Sequence, residues 1–166
     1  LDNKKYILNK GMCVIADKSS VLGLGGIIGG TKTSTEFDTK NILLESAYFL
    51  PSSIRKTSRE LGINTDAKYR FERGIDPNSA IEGLQVATEM ILKICGGQAS
   101  KFTITGKNSQ KNKTIKFDID NFENLIGIPI SLNEAQKILI SLGFICKKGK
   151  KDLKVEIPSW RPDINQ

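Results

Sequence analysis

Histidine is absent from the 166 residues. That removes Ser-His-Asp and Cys-His nucleophilic arrangements, and every imidazole-ligated metal, from the chemistry this chain can supply. Any hydrolysis must rest on carboxylates, backbone dipoles, a metal, the substrate's own groups, or residues from elsewhere. Cysteine is scarce: Cys13, Cys95 and Cys146 are odd in number, far apart and form no Cys-x-x-Cys pair. This excludes a disulfide frame and a zinc site and suits a reducing compartment. No apolar run reaches the roughly 20 residues needed to span a bilayer, and no secretory signal is recognisable. The expectation is a cytoplasmic protein with no membrane partner. Arginine is rare as well, five residues against twenty lysines.

What is present is ordinary for a globular chain: 39% apolar and 26% charged residues, enough for one domain or one and a half. The net charge of +7 favours polyanionic partners over acidic ones, although a lysine-rich composition alone would give the same sum. The first residue, Leu1, is not Met, and the last, Gln166, follows Trp160 by six. Both ends read as internal positions of a longer protein.

Four of the five arginines, Arg55, Arg59, Arg70 and Arg73, fall between Asn41 and Pro77. Arginine offers a planar fork matched to carboxylate or phosphate, which lysine does not. They can equally cap helices and pair with Glu60, Asp66, Glu72 and Asp76. Ile42 to Phe49 is short, apolar and aromatic, the pattern of a buried strand. Glu45 in its middle is anomalous, because a carboxylate is rarely buried unless something pairs with it or uses it. Pro51 ends that strand. Ser52 or Ser53 can cap a helix running to Leu61 with Gly62 as its stop. Thr65 can cap a short turn from Asp66 to Arg73, closed by Gly74. Asp76-Pro77 then opens a long helix.

Upstream, Met12 to Asp17 and Val21 to Leu24 read as strands, followed by Gly25, Gly26, Gly29 and Gly30. The spacing is not a dinucleotide fingerprint, and no Gly-Lys-Ser/Thr phosphate loop is present. The glycines either let sheet backbones bend or cross, or, at Gly29 and Gly30, let a ligand approach the backbone. Thr31 to Lys40 is a polar, exposed loop. In the long helix Ile81, Leu84, Ala87, Met90, Ile91 and Ile94 recur at helical spacing as a core face, and Gly96-Gly97 ends it. Lys101 to Thr105 reads as a strand closing the sheet. A polar stretch without periodicity follows, placing a linker at 108–113 between units 1–107 and 114–166. The second unit reads as a strand from Thr114, a short helix from Asn121 to Ile126, and a Ser131–Glu134 capping box. A helix then buries Leu132, Ala135, Ile138, Leu139 and Leu142, and a hairpin forms about Lys148–Lys151. The expected class is α+β: a mixed or antiparallel sheet with packed helices, then a small winged-helix-like unit.

LLESAYFLPSSIRKTSRELGINTDAKYRFERGIDP resembles the editing-domain signature of bacterial phenylalanine–tRNA ligase beta subunits. The likeness extends upstream through GMCVIADKSSVLGLGGIIGG and downstream through PSWRPDI, so it covers essentially the whole chain. In that family the beta subunit joins an alpha subunit in an alpha2beta2 assembly that charges tRNA(Phe) with phenylalanine, using ATP and Mg2+. The beta subunit hydrolyses tyrosine wrongly attached to that tRNA. An apolar pocket cannot strongly reject a near-isostere that adds a hydroxyl, so a second site is needed. The resemblance places editing-pocket residues at Gly29, Glu45, Thr65 and Ala67. Glu45 would accept the tyrosine phenol, Gly29 would let the ligand approach, and Thr65 and Ala67 would line the wall. The family's pocket histidine has no counterpart here. Asp163 matches a carboxylate that the family associates with Mg2+. A single ligand implies no metal or ATP bound to these residues alone, and no aminoacylation by them in isolation.

A different class remains open on sequence: a free-standing RNA- or protein-binding module without catalysis. A basic hairpin that binds DNA directly is a third reading, one that requires steep salt dependence.

Overall fold

The computed structural model describes residues 1–106 and 112–164. The chain divides into two compact units, Leu1–Ile104 and Thr105–Gln166. Most of the linker expected at 108–113 lies outside the described residues. The class is α+β, with two small antiparallel sheets and five helices among the described residues.

In the first unit, β1 (Val14–Ala16), β2 (Val21–Leu24) and β3 (Ile28–Gly29) form an antiparallel meander in sequence order. A β-bulge between Ile15 and Ala16 shortens the strand expected over Met12 to Asp17. α1 (Pro51–Leu61) starts with proline in its first turn, where a missing N–H costs nothing. Leu50 is the N-cap, and neither Ser52 nor Ser53 serves. Gly62, at φ 64°, ends the helix in the left-handed region. α2 (Asp66–Phe71) is capped by Thr65, whose side chain accepts from the Lys68 N–H. α3 (Ser79–Cys95) begins two residues later than Pro77, because Asp76 builds a turn instead: its carboxylate accepts from Asn78 N–H and its carbonyl from Ser79. The core joins Leu24 and Ile27 of the glycine-rich hairpin to Ile54 of α1 and Ile63 of the α1–α2 connection. Phe49 and Phe71 meet edge-to-face beside it, 5.2 Å between ring centres.

Three expectations fail in this unit. Ile42 to Phe49 forms no strand, and Ile42 through Ser46, Glu45 included, is exposed. Lys101 to Thr105 is likewise exposed and outside any strand. A strand exists only through a ladder partner, and neither segment finds one among the described residues. The apolar face of α3 is not core either: α3 buries no residue, and Met90 and Ile94 stand 57% and 76% exposed. Helical periodicity reports that a face is apolar, not that a layer covers it.

In the second unit, β4 (Thr114–Asp118) and β5 (Ile145–Lys148) flank β6 (Asp152–Glu156) in an antiparallel sheet ordered β4-β6-β5. α4 (Ile119–Ile126) is capped by Asp118, and α5 (Leu132–Ser141) by Ser131, whose hydroxyl accepts from Glu134 N–H. Period-two alternation sends Leu153 and Val155 into a core shared with Ala135, Phe144 and Ile157. Leu132 and Leu139 pack on this core, whereas Ile138 and Leu142, expected inside, are exposed at 47% and 58%. Strand, two helices and a hairpin make the winged-helix-like order read from sequence.

Candidate functional site

The glycine-rich hairpin is built from close backbone approaches. Ile27 N–H donates to the Leu24 carbonyl across a turn in which Gly26 has φ 66°. Gly30 N–H donates to Leu22 at 2.7 Å, and a Cβ on Gly30 would stand 2.5 Å from that same oxygen. Gly25 and Gly26 lie under the Phe49 ring, which a Cβ at either would meet at 2.7 or 2.8 Å. These three glycines therefore serve the fold. Gly29 differs. It is exposed, and the one side chain near its open face is that of Leu1, 3.2 Å from where a Cβ would be. The Leu1 ammonium donates to the Gly29 carbonyl at 2.9 Å.

Thr65 is fastened to this hairpin. Its hydroxyl donates to the Ile27 carbonyl at 2.6 Å and accepts from Lys68 N–H at 3.1 Å. One side chain thus both caps α2 and pins it to the turn two residues before Gly29. Ala67, in the first turn of α2, is half-buried. Thr65 thus meets the hairpin two residues before Gly29, and Ala67 follows Thr65 by two.

Glu45 reaches this region only through its chain neighbours. Ser46 lies over α3, its hydroxyl 3.7 Å from where a Cβ on Gly83 would be. Phe49 sits on Gly25 and Gly26. Four extended residues span at most about 14 Å, which bounds the distance from Glu45 Cα to Phe49 Cα. The expected burial of Glu45 is not found: the carboxylate is exposed. A depression of about 480 Å³ opens at the next residue along the chain, lined by Ser46, Ser79, Glu82, Gly83, Val86, Ala87 and Met90. None of Gly29, Glu45, Thr65 and Ala67 lines it.

Two arginines of the central stretch have structural partners that sequence only partly anticipates. Arg55 donates to the Glu72 carbonyl at 2.8 Å. Arg73 donates to the Tyr69 carbonyl and the Glu72 carboxylate, with its guanidinium 3.6 Å above the Tyr69 ring. Lys68 pairs with the other Glu72 oxygen at 3.2 Å. Burial would raise the Glu72 pKa, but Lys68, Arg73 and Arg55 outweigh it and hold the carboxyl below its ordinary value. Glu60 instead accepts from Asn9. Arg59 and Arg70 are exposed and make no ion pair among the described residues.

Asp163 is taken up by Arg161 in a two-pronged pair at 2.9 and 2.8 Å, which draws its carboxyl below the usual carboxylate range. Among the described residues no three His, Cys, Asp or Glu side chains converge as metal ligands.

Comparison with known proteins adds the family. Residues 1–96 match the model of the B3/4 domain, and residues 115–166 match that of the tRNA synthetase B5 domain. The phenylalanine–tRNA ligase beta subunit of Rhodopseudomonas palustris is 41% identical over 165 residues, 99% of this chain and 20% of that protein. That of Brucella suis is 40% identical over 164 residues, again 99% and 20%. That of Bradyrhizobium diazoefficiens is 39% identical over 165 residues, 99% and 21%. The chain spans about one fifth of the length of these relatives. With the B3/4 match covering more than half of it and the alignment to these relatives running almost end to end, the chain belongs to the phenylalanine–tRNA ligase beta subunit family, as its B3/4 and B5 region.

Proposed function

We propose that the first unit contributes an editing site that hydrolyses tyrosine mischarged onto tRNA(Phe), within a ligase that also carries an alpha subunit. The observation that supports this most is the Thr65 hydroxyl on the Ile27 carbonyl. It holds α2 against the hairpin that leaves Gly29 open, so two parts of one wall meet although 38 residues separate them. The aminoacyl ester would lie along Gly29, with Ala67 and the Thr65 methyl against the ring. Glu45, carried on the segment between α3 and the glycine turn, would accept the phenol O–H. Such a charge-assisted bond is worth about 1.5–3 kcal/mol. Phenylalanine would leave the carboxylate unpaired as the ligand desolvates it, so discrimination operates in favour of destroying the tyrosyl ester. Water attacks the ester carbonyl. With no histidine in the chain, backbone N–H groups and the terminal ribose hydroxyl of the tRNA are the candidates for steadying it. ATP and Mg2+ belong to the activation step, elsewhere in the ligase.

The test uses the intact ligase carrying this region. Glu45→Ala should raise Tyr-tRNA(Phe) accumulation by about 10-fold or more, as loss of one charged hydrogen bond implies, and leave phenylalanine charging unchanged. Undiminished Tyr-tRNA(Phe) hydrolysis in that variant would remove Glu45 from the site.

A further inference from the structure

Thr65 and Ala67, two of the residues placed in the editing wall, depend on α2, and α2 has little packing of its own. It is six residues long and buries none of them fully. Helices shorter than about 12–15 residues are marginal by themselves, so contacts from other elements must fix its position. Three ties contribute. Thr65 donates to the Ile27 carbonyl at the start of the helix. Phe71 meets Phe49 edge-to-face near its end, 5.2 Å between ring centres. Arg55, reaching across from α1, donates to the carbonyl of the C-cap residue Glu72 at 2.8 Å.

Of the two ties at the far end, the Arg55 bond is the directional one. Edge-to-face rings occur from about 4.5 to 7 Å apart, so the Phe71 contact alone leaves the end of α2 about 2 Å of play. A hydrogen bond fixes both distance and angle, and this one also satisfies a helix-end carbonyl that has no partner within the helix. The Glu72 carboxylate is engaged by Lys68 at 3.2 Å and Arg73 at 3.1 Å, and Arg73 also donates to the Tyr69 carbonyl. Those two cations are close to Glu72 along the chain, so they cannot locate α2 against the rest of the unit. Arg55 can. It lies 17 residues from Glu72, on a helix that buries Ile54, Thr57 and Ser58.

We propose that Arg55 is a positioning residue of the editing site, holding the end of α2 so that Ala67 keeps its place in the wall. This rests on the editing function proposed for the unit. At about 1.5 Å of rise per residue, Ala67 lies about 3 Å and Glu72 about 10 Å along the helix from Thr65. With the start pinned, a drift of about 2 Å at the end moves Ala67 by about 0.6 Å. A misplacement of about 1 Å can cost 100-fold in rate, so a loss of about 10-fold is expected here. The Arg55 side chain is exposed and stands outside the core cluster around Ile54, so replacing it removes no buried packing.

The experiment follows hydrolysis of pre-formed Tyr-tRNA(Phe) by the intact ligase carrying this region. Arg55→Met removes the donor, and Arg55→Lys keeps an ammonium for the same carbonyl. Arg59→Met is the control: it takes equal charge from an exposed position one turn along α1. Arg55→Met should lower kcat about 10-fold with KM within about 3-fold, because positioning acts on the ester and most of the tRNA binds elsewhere. Arg55→Lys should recover at least about half of the lost rate, as an ammonium can still donate to that oxygen. Arg59→Met should leave hydrolysis unchanged, and all three should charge phenylalanine normally. An unchanged kcat in Arg55→Met, a loss carried by KM, no recovery in Arg55→Lys, or an equal loss in Arg59→Met would each overturn the positioning role. Glu45→Ala, run alongside, tells the two ideas apart. Hydrolysis lost there but kept in Arg55→Met overturns only the role of Arg55. Failure of the unmodified ligase to hydrolyse Tyr-tRNA(Phe) overturns the editing function and this role with it.

Discussion

Thr65 shows what one residue carries here. Its capping role was visible in sequence, because Thr followed by Asp opens a helix. Its bond to Ile27 was not, because nothing local encodes a partner 38 positions away. Thr65→Val keeps the shape and removes both the donor to Ile27 and the acceptor for Lys68. It should cost about 1–2 kcal/mol of stability, while Thr65→Ser should cost less than about 0.5. Urea titration of the two variants separates these values. Equal losses would mean that the methyl matters as much as the hydroxyl. The glycines divide in the same way. The pattern Gly25-Gly26-Gly29-Gly30 left sheet geometry and ligand approach both open. The contacts of Gly25, Gly26 and Gly30 give those three to the fold, whereas a Cβ on Gly29 would meet only the Leu1 side chain. Glu45 was singled out as a carboxylate in an apolar run. That signal was wrong about its burial, since alternation and aromatic content cannot supply a neighbouring strand.

At the scale of elements, helices were easier to read than strands, for a physical reason. A helix closes its hydrogen bonds within itself, so caps and stops such as Thr65, Ser131, Gly62 and Gly127 mark it locally. A strand needs a second strand, and Ile42 to Phe49 has the composition without the partner. α3 is the informative middle case: its existence and end were legible, its environment was not. Its uncovered face gives a sharp contrast. Met90→Lys, at a position 57% exposed, should shift the unfolding free energy by no more than about 0.5 kcal/mol. Ile54→Ala, at a side chain 1% exposed, should cost about 2–5 kcal/mol. A large loss for Met90→Lys in denaturant unfolding would show that the α3 face is packed in solution.

For the molecule as a whole, the two units carry separate cores, one around Ile54 and one around Leu153, with no residue in common. Leu153→Ala, at a side chain with 0% exposure, should also cost about 2–5 kcal/mol. Combined with Ile54→Ala, the losses should add to within about 0.5 kcal/mol, as they do for sites without shared neighbours. A larger coupling, read from the double variant by calorimetry, would tie the two cores together. No helix among the described residues is long and apolar enough to cross a membrane. The family was legible because motifs run through both units. The row of Lys116, Lys154 and Lys147 across β4, β6 and β5 was not, because it exists only once register is known.

The seat of Phe49 bears on how the first unit tolerates change. Its ring lies over Gly25 and Gly26, where a Cβ would come within 2.7 or 2.8 Å. A methyl added at either glycine would force the ring aside and loosen the segment four residues upstream that holds Glu45, so proofreading would suffer from a substitution that touches no pocket residue.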